Sequence, residues 1–202
     1  MPIFDEYKTV FVHIPKTAGT SVMTMLSDDV NQYIGNPNKI SLKYMYGKNL
    51  QHLTGTKLRL LAPFRFRRYY RFAFVRNPWD RMVSEFKWRS KWDEGLKDKD
   101  LSYMLQRVEL YRKKRAAPHF LEAADFVFDG KGKLLVDYVG RFESIEEDFK
   151  SIAAAIGIDK ELPKTNVSGG ASKGYRDWYT PETVTLIEKL FCRDIEAFDY
   201  KF

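Results

Sequence analysis

Cysteine is almost missing from this chain of 202 residues: Cys192 stands alone, so no internal disulfide can form and nothing points to an oxidising compartment. Histidine is nearly as scarce, and three histidines beside one cysteine are a thin inventory for a structural zinc site. No apolar run reaches the roughly 18 residues that a membrane-crossing helix needs, so no span is expected. The N-terminus, Met-Pro-Ile-Phe-Asp-Glu, has acids where a secretion signal would carry basic residues, which leaves export and anchoring unsupported and a cytoplasmic setting as the expectation. Internal repeats and linker-like segments are also absent. At about 150 residues per domain, a single domain over residues 1–202 is expected.

What is present is material for a core. Apolar residues make up 44% and aromatics 15%, enough to offset 30% charged residues and to exclude disorder. The 34 Lys and Arg against 27 Asp and Glu leave a net charge of +7, which favours an anionic ligand, substrate or surface. Cys192, amid Phe191, Ile195 and Phe198, reads as a small buried residue.

The pattern alternates strands with helices. Lys8 to His13 is a β-branched and aromatic run that stops at Ile14-Pro15, and a helix is expected within Thr17 to Asp29, with Val22, Met25 and Leu26 on one face. Gly35-Asn36-Pro37-Asn38 signals a loop. A helix is expected over Thr54 to Leu61, stopped by Pro63. Tyr70 to Val75 is a second strand. Asn77-Pro78 then supplies an N-cap and a suitable first helical residue, so a helix should run to about Trp92, with Arg81 and Glu85 paired at i,i+4. Leu101 to Arg115 is expected as one helix. Asp125 to Phe128 and Lys133 to Val139 are expected as a hairpin around Gly130-Lys131-Gly132. Ser144 with Glu147 forms a capping box for a helix to Ala155, and a last helix should begin near Thr180-Pro181 after the glycine-rich loop Asn166 to Arg176. The sum is a three-layer α/β/α domain with a mainly parallel sheet.

Two segments carry chemistry. His13-Ile-Pro-Lys16-Thr17-Ala18-Gly19-Thr20-Ser21 lies between a strand and a helix, where backbone N–H groups and the positive helix end make an anion site. Gly19 allows close approach, Thr20 and Ser21 add hydroxyls, and Lys16 adds a mobile charge. No Gly-Lys-Ser/Thr occurs, so this is not a Walker A loop. An ordinary βα turn is the plain alternative. In the second segment, Phe74-Val75-Arg76-Asn77-Pro78-Trp79-Asp80-Arg81, Arg76 falls at the carboxyl edge of the sheet, where α/β folds bind ligands. Ser84 lies two helical turns on; a structural arginine and a solvated serine are the alternative.

Together these segments resemble the sulfotransferases, in particular the carbohydrate branch called family 2. HIPKTAGTS is similar to its 5′-phosphosulfate loop and FAFVRNPWDRMVSEF to its 3′-phosphate element, with further similarity in LLVDYVGRFESIEEDF. The resemblance implies a fold related to P-loop nucleotide kinases and 3′-phosphoadenosine-5′-phosphosulfate (PAPS) as donor, with transfer to a hydroxyl or amine of a glycan or glycosylated small molecule. It implies that Lys16 contacts the leaving 5′-phosphate, that Thr17, Ala18, Gly19, Thr20 and Ser21 cradle it, and that Arg76 and Ser84 hold the 3′-phosphate. Ser172-Lys173-Gly174-Tyr175 resembles a diluted form of the loop that closes over that phosphate, without the arginine that precedes the lysine. No metal is expected, because the sulfuryl group carries less charge than a terminal phosphate.

A sugar hydroxyl needs a general base, worth about 10² to 10⁴-fold. His52 ranks first by its similarity in placement to the base of carbohydrate sulfotransferases. His13, His119 and Glu85 remain as candidates, each with a structural role as the alternative. Six arginines between Arg59 and Arg76, with no acid among them and aromatics interleaved, also suit a polyanion. A basic polyanion-binding module and a nucleotide-dependent kinase of related fold are the rival readings, though no nucleic-acid partner is expected. Arg112-Lys113-Lys114-Arg115 is a second basic cluster. Oligomeric state has no signal.

Overall fold

The computed structural model describes residues 2–26, 50–113, 117–159, 162 and 174–202. In chain order the elements are β1 (Ile3–Phe4), β2 (Thr9–Phe11), α1 (Gly19–Leu26), α2 (Gly55–Leu61), α3 (Pro63–Arg68), β3 (Tyr70–Val75) and α4 (Pro78–Arg89). There follow α5 (Leu101–Leu105), α6 (Val108–Arg112), α7 (Ala117–Phe120), α8 (Ala124–Val127), β4 (Tyr138–Arg141), α9 (Ile145–Ile156), α10 (Pro181–Leu190) and α11 (Cys192–Phe198). They fall into two compact units, Met1–Val75 with Asp125–Thr165, and Arg76–Ala124 with Asn166–Phe202.

The first unit is α/β. Its sheet has the order β1-β2-β3-β4, with β1 antiparallel to β2 and the other pairs parallel. Phe11 faces Phe72 and Phe74 faces Gly140 in register. The apolar alternation that marks these strands supplies Phe11, Phe72 and Phe74 to a core completed by Val22, Met23 and Leu26 of α1 and by Phe149, Ile152 and Ala153 of α9. Helix α2 buries Gly55 and Leu58, α3 buries Phe66, and Ala62 is buried at the break between them.

The second unit is helical. Asn77 caps α4, its side-chain oxygen accepting from the N–H of Trp79 (3.0 Å) and of Asp80 (3.5 Å), and Pro78 follows at the first position. Trp79, Met82, Val83 and Phe86 are buried along α4, and Ile187 of α10 and Phe198 of α11 are buried in the same unit. Thr180 caps α10 through a reciprocal box with Thr183. No described helix is long and apolar enough to cross a membrane.

Several local expectations change. The strand over Lys8 to His13 shortens to Thr9–Phe11, because Lys8 takes a left-handed φ of 45°. The Leu101 to Arg115 helix breaks at Arg107, whose φ and ψ of −107° and 6° leave the helical region. Pro63, expected only to stop a helix, begins α3. The hairpin reduces to a single bridge between Phe128 and Leu134, and Ala124–Val127 is helical. The cause is distant in sequence: buried Asp194 accepts from the N–H groups of Ala123 (2.9 Å) and Ala124 (2.8 Å) at the start of α8. Ser144 does not form the box with Glu147, since its hydroxyl donates to Asp148 at 2.7 Å. Cys192 is exposed at the start of α11 rather than buried. The Gly35-Asn36-Pro37-Asn38 signal, Lys114, Arg115 and residues 166–173 lie outside the described residues.

Candidate active site

The turn between β2 and α1 is built from unusual backbone. Lys16 and Ala18 both have left-handed φ, 69° and 60°, a conformation that costs a residue with a Cβ about 1 to 2 kcal/mol. Alternating residues of this kind swing successive N–H groups toward one side, the arrangement of an anion-binding nest. Thr17 holds the turn from within: it is fully buried and its hydroxyl donates to the Ile14 carbonyl at 2.9 Å. Thr20 is exposed and Ser21 half-buried. No acid occupies the first turn of α1, so its positive end is not neutralised from within the helix. Gly19 opens that helix for a steric reason. A Cβ there would lie 1.7 Å from Nε2 of His13.

His52, on the 3₁₀ turn Leu50–His52, joins this cluster. Its Nδ1 lies 3.1 Å from the carbonyl oxygen of His13. A carbonyl can only accept, so Nδ1 carries a proton, and when the ring is neutral Nε2 is its acceptor nitrogen. The two imidazoles are 4.4 Å apart between centroids, and Phe11 stacks on His13 at 5.2 Å. With relative exposures of 6% for His13 and 7% for His52, both rings are held by packing. The first unit thus brings together Lys16, the Gly19 helix start, His13 and His52.

In the second unit, Arg76 comes directly after β3, and its Nε donates to Asp80 Oδ2 at 2.8 Å. The i,i+4 spacing of Arg76 and Asp80 was a readable signal for this clamp. Asn77 turns its amide nitrogen toward the Lys201 carbonyl (3.0 Å) and the Tyr175 hydroxyl (3.5 Å). Tyr175 is therefore adjacent to the Arg76 segment. Gly174 precedes it at the head of a 3₁₀ turn, whereas Ser172 and Lys173 lie outside the described residues. Ser84 is half-buried on α4.

Glu85 does not pair with Arg81. It is fully buried, with Oε1 accepting from Nε and Nη2 of Arg89 (3.0 and 2.8 Å) and Oε2 2.8 Å from Nδ1 of His119. Burial pushes its carboxyl up, but His119 and Arg89 outweigh this and hold it below the usual glutamate value. Arg81 instead donates to the Leu121 carbonyl at 2.8 Å and lies 3.6 Å from Asp194. His119 stacks flat on Trp88 at 5.2 Å. Glu85 and His119 thus belong to a buried charge network of the helical unit.

Two turns, each at the end of a parallel strand and the start of a helix, narrow the identity, and one comparison decides it. The sequence pattern of the sulfotransferase family matches residues 1–201. The chain belongs to the sulfotransferase family. Its members are PAPS-dependent enzymes, and the mostly parallel α/β sheet agrees with their P-loop fold. This sulfotransferase is 22% identical over 248 residues to carbohydrate sulfotransferase 12 of Mus musculus, covering 97% of the present chain and 58% of the mouse protein. It is 29% identical over 110 residues to an uncharacterized protein of Archaeoglobus fulgidus, covering 54% of this chain and 83% of that one. No solved structure matches it significantly.

Proposed function

We propose that this sulfotransferase moves the sulfuryl group of PAPS to a hydroxyl of a glycan or glycosylated acceptor, with His52 as general base. The observation that carries the reading is the hydrogen bond from His52 Nδ1 to the His13 carbonyl. With Nδ1 donating to that carbonyl, the neutral form of the ring offers Nε2 as the acceptor of a proton, beside the turn that carries Lys16. The mouse carbohydrate enzyme is the support for a glycan acceptor.

In this reading the N–H groups of residues 17–21 and the N-terminus of α1 bind the 5′-phosphosulfate, and Lys16 meets the bridging oxygen. Arg76 and Ser84 bind the 3′-phosphate, with Gly174 and Tyr175 beside them. As the acceptor oxygen bonds to sulfur, the bond from sulfur to the 5′-phosphate oxygen breaks and the acceptor proton passes to His52 Nε2. Charge grows on the leaving oxygen, where a fixed cation and a helix end stabilise it most. Lys16 and α1 supply both, and no step is routed through a metal.

Two measurements test the reading. Adenosine 3′,5′-bisphosphate should raise the unfolding temperature by mass action, and ATP with magnesium should not. Labelled PAPS should then transfer sulfate to members of a panel of neutral and acidic oligosaccharides. Protection by ATP with magnesium alone would overturn the donor assignment, and transfer only to non-glycosylated phenols or amines would overturn the acceptor class.

A further inference from the structure

The arginine-rich stretch before Arg76 plays no part in the chemistry above, and its surface is unusual. From Lys57 to Trp79 there is no acid. Helices α2 and α3 turn Gly55, Leu58, Ala62 and Phe66 inward and leave Lys57, Arg59, Leu60, Pro63, Phe64, Arg65, Arg67 and Arg68 exposed. Leu60 near the end of α2 and Phe64 near the start of α3, on either side of the break at Ala62, are 74% and 80% exposed, more than any other large apolar side chain among the described residues. Part of the surrounding charge is spent on neighbours: Arg65 pairs with Asp5 at 2.7 Å and Arg59 approaches Asp129 at 3.8 Å. Lys57, Arg67 and Arg68 have no ion pair among the described residues.

We propose that this face docks the protein on an anionic lipid surface. Three cations with no ion pair among the described residues, beside two protruding apolar side chains, match what a headgroup layer offers, phosphate oxygens at its surface and hydrocarbon just beneath. A nucleic acid would use the cations and could stack on Phe64, but it has nothing to receive Leu60. Both side chains can enter the boundary of the acyl layer while Arg67 and Arg68 meet phosphates. The face lies on the membrane and does not cross it. Its function is independent of the donor and acceptor assigned above.

The test is co-sedimentation of the full chain with vesicles of phosphatidylcholine alone and with 30% phosphatidylserine, at low and high salt. Binding is expected to the anionic vesicles only, weakening as salt rises. The exposed double change Leu60→Ala, Phe64→Ala should weaken it about tenfold or more with the unfolding temperature unchanged, as loss of buried apolar area requires. Arg67→Glu with Arg68→Glu should weaken it by a larger factor, at about fivefold for each cation removed. Three results overturn the proposal: no vesicle binding, equal binding to neutral vesicles, or anionic binding indifferent to Leu60→Ala, Phe64→Ala. Preferential binding of a single-stranded RNA over the anionic vesicles would overturn it in favour of a nucleic-acid face.

Discussion

The imidazole of His13 occupies the space that any side chain on Gly19 would need, with Nε2 1.7 Å from the position of a Cβ. The glycine in the turn between β2 and α1 is therefore required by the protein's own packing. Gly19→Ala should cost about 1 to 3 kcal/mol by overpacking and weaken adenosine 3′,5′-bisphosphate binding. Adding His13→Ala makes room and should recover part of the lost unfolding temperature. A double variant no more stable than the single one would show that another contact confines position 19.

His52→Ala should lower kcat by about 10² to 10⁴-fold, with the affinity for adenosine 3′,5′-bisphosphate near normal by titration calorimetry. His52→Asn keeps an amide donor near the place of Nδ1 for the His13 carbonyl but supplies no base, so it should be as slow as alanine. If turnover survives in either variant, His52 only packs.

Arg76 is already oriented by Asp80, through the 2.8 Å bond from Nε. Arg76→Ala should weaken binding of adenosine 3′,5′-bisphosphate by about ten- to a hundredfold, the loss of 1.4 to 2.8 kcal/mol expected of a charge-assisted contact. Binding of adenosine 5′-phosphosulfate, which lacks the 3′-phosphate, should hardly change. Arg76→Lys should not restore affinity, because a lysine cannot present a planar fork. Equal losses for both ligands would take Arg76 away from the 3′-phosphate.

Glu85 links the pH response to stability. Its carboxyl lies below its unfolded value in the fold, so its ionisation stabilises the native state above the unfolded pKa of about 4.3, and that contribution is lost as pH falls through the lower folded value. Glu85→Gln should cost about 3 kcal/mol at pH 7, since it removes the nearer counter-charge of buried Arg89 and leaves only Asp93 at 3.9 Å. Urea midpoints of the variant should fall less steeply than those of the parent below about pH 4.5. Parallel acid limbs would assign the acid sensitivity to other carboxylates.

Some of the fold is local, and that part was legible. Tyr70–Val75 is a strand over the residues its alternation marks, and Asn77-Pro78 and Thr180-Pro181 begin helices because a cap and a fixed φ act within one turn. The two ligand turns and their likeness to sulfotransferases were also legible, since their residues are contiguous. Asp80 as the holder of Arg76 lay within the same turn and could have been read from its spacing.

Partner choice was decided by the tertiary structure. Glu85 has Arg81 four residues before it and Arg89 four after it, so spacing alone left two candidates. The pairing with Arg89 is joined by His119, 34 positions away, and Asp194 takes the neighbourhood of Arg81. The helix at Ala124 likewise depends on Asp194, 70 positions away, and the tautomer of His52 on a carbonyl 39 positions back. Periodicity and capping are encoded within a few residues because backbone hydrogen bonds are short-ranged in sequence. Which buried charge meets which is settled only when the chain closes and each group, stripped of water, must find its counterpart.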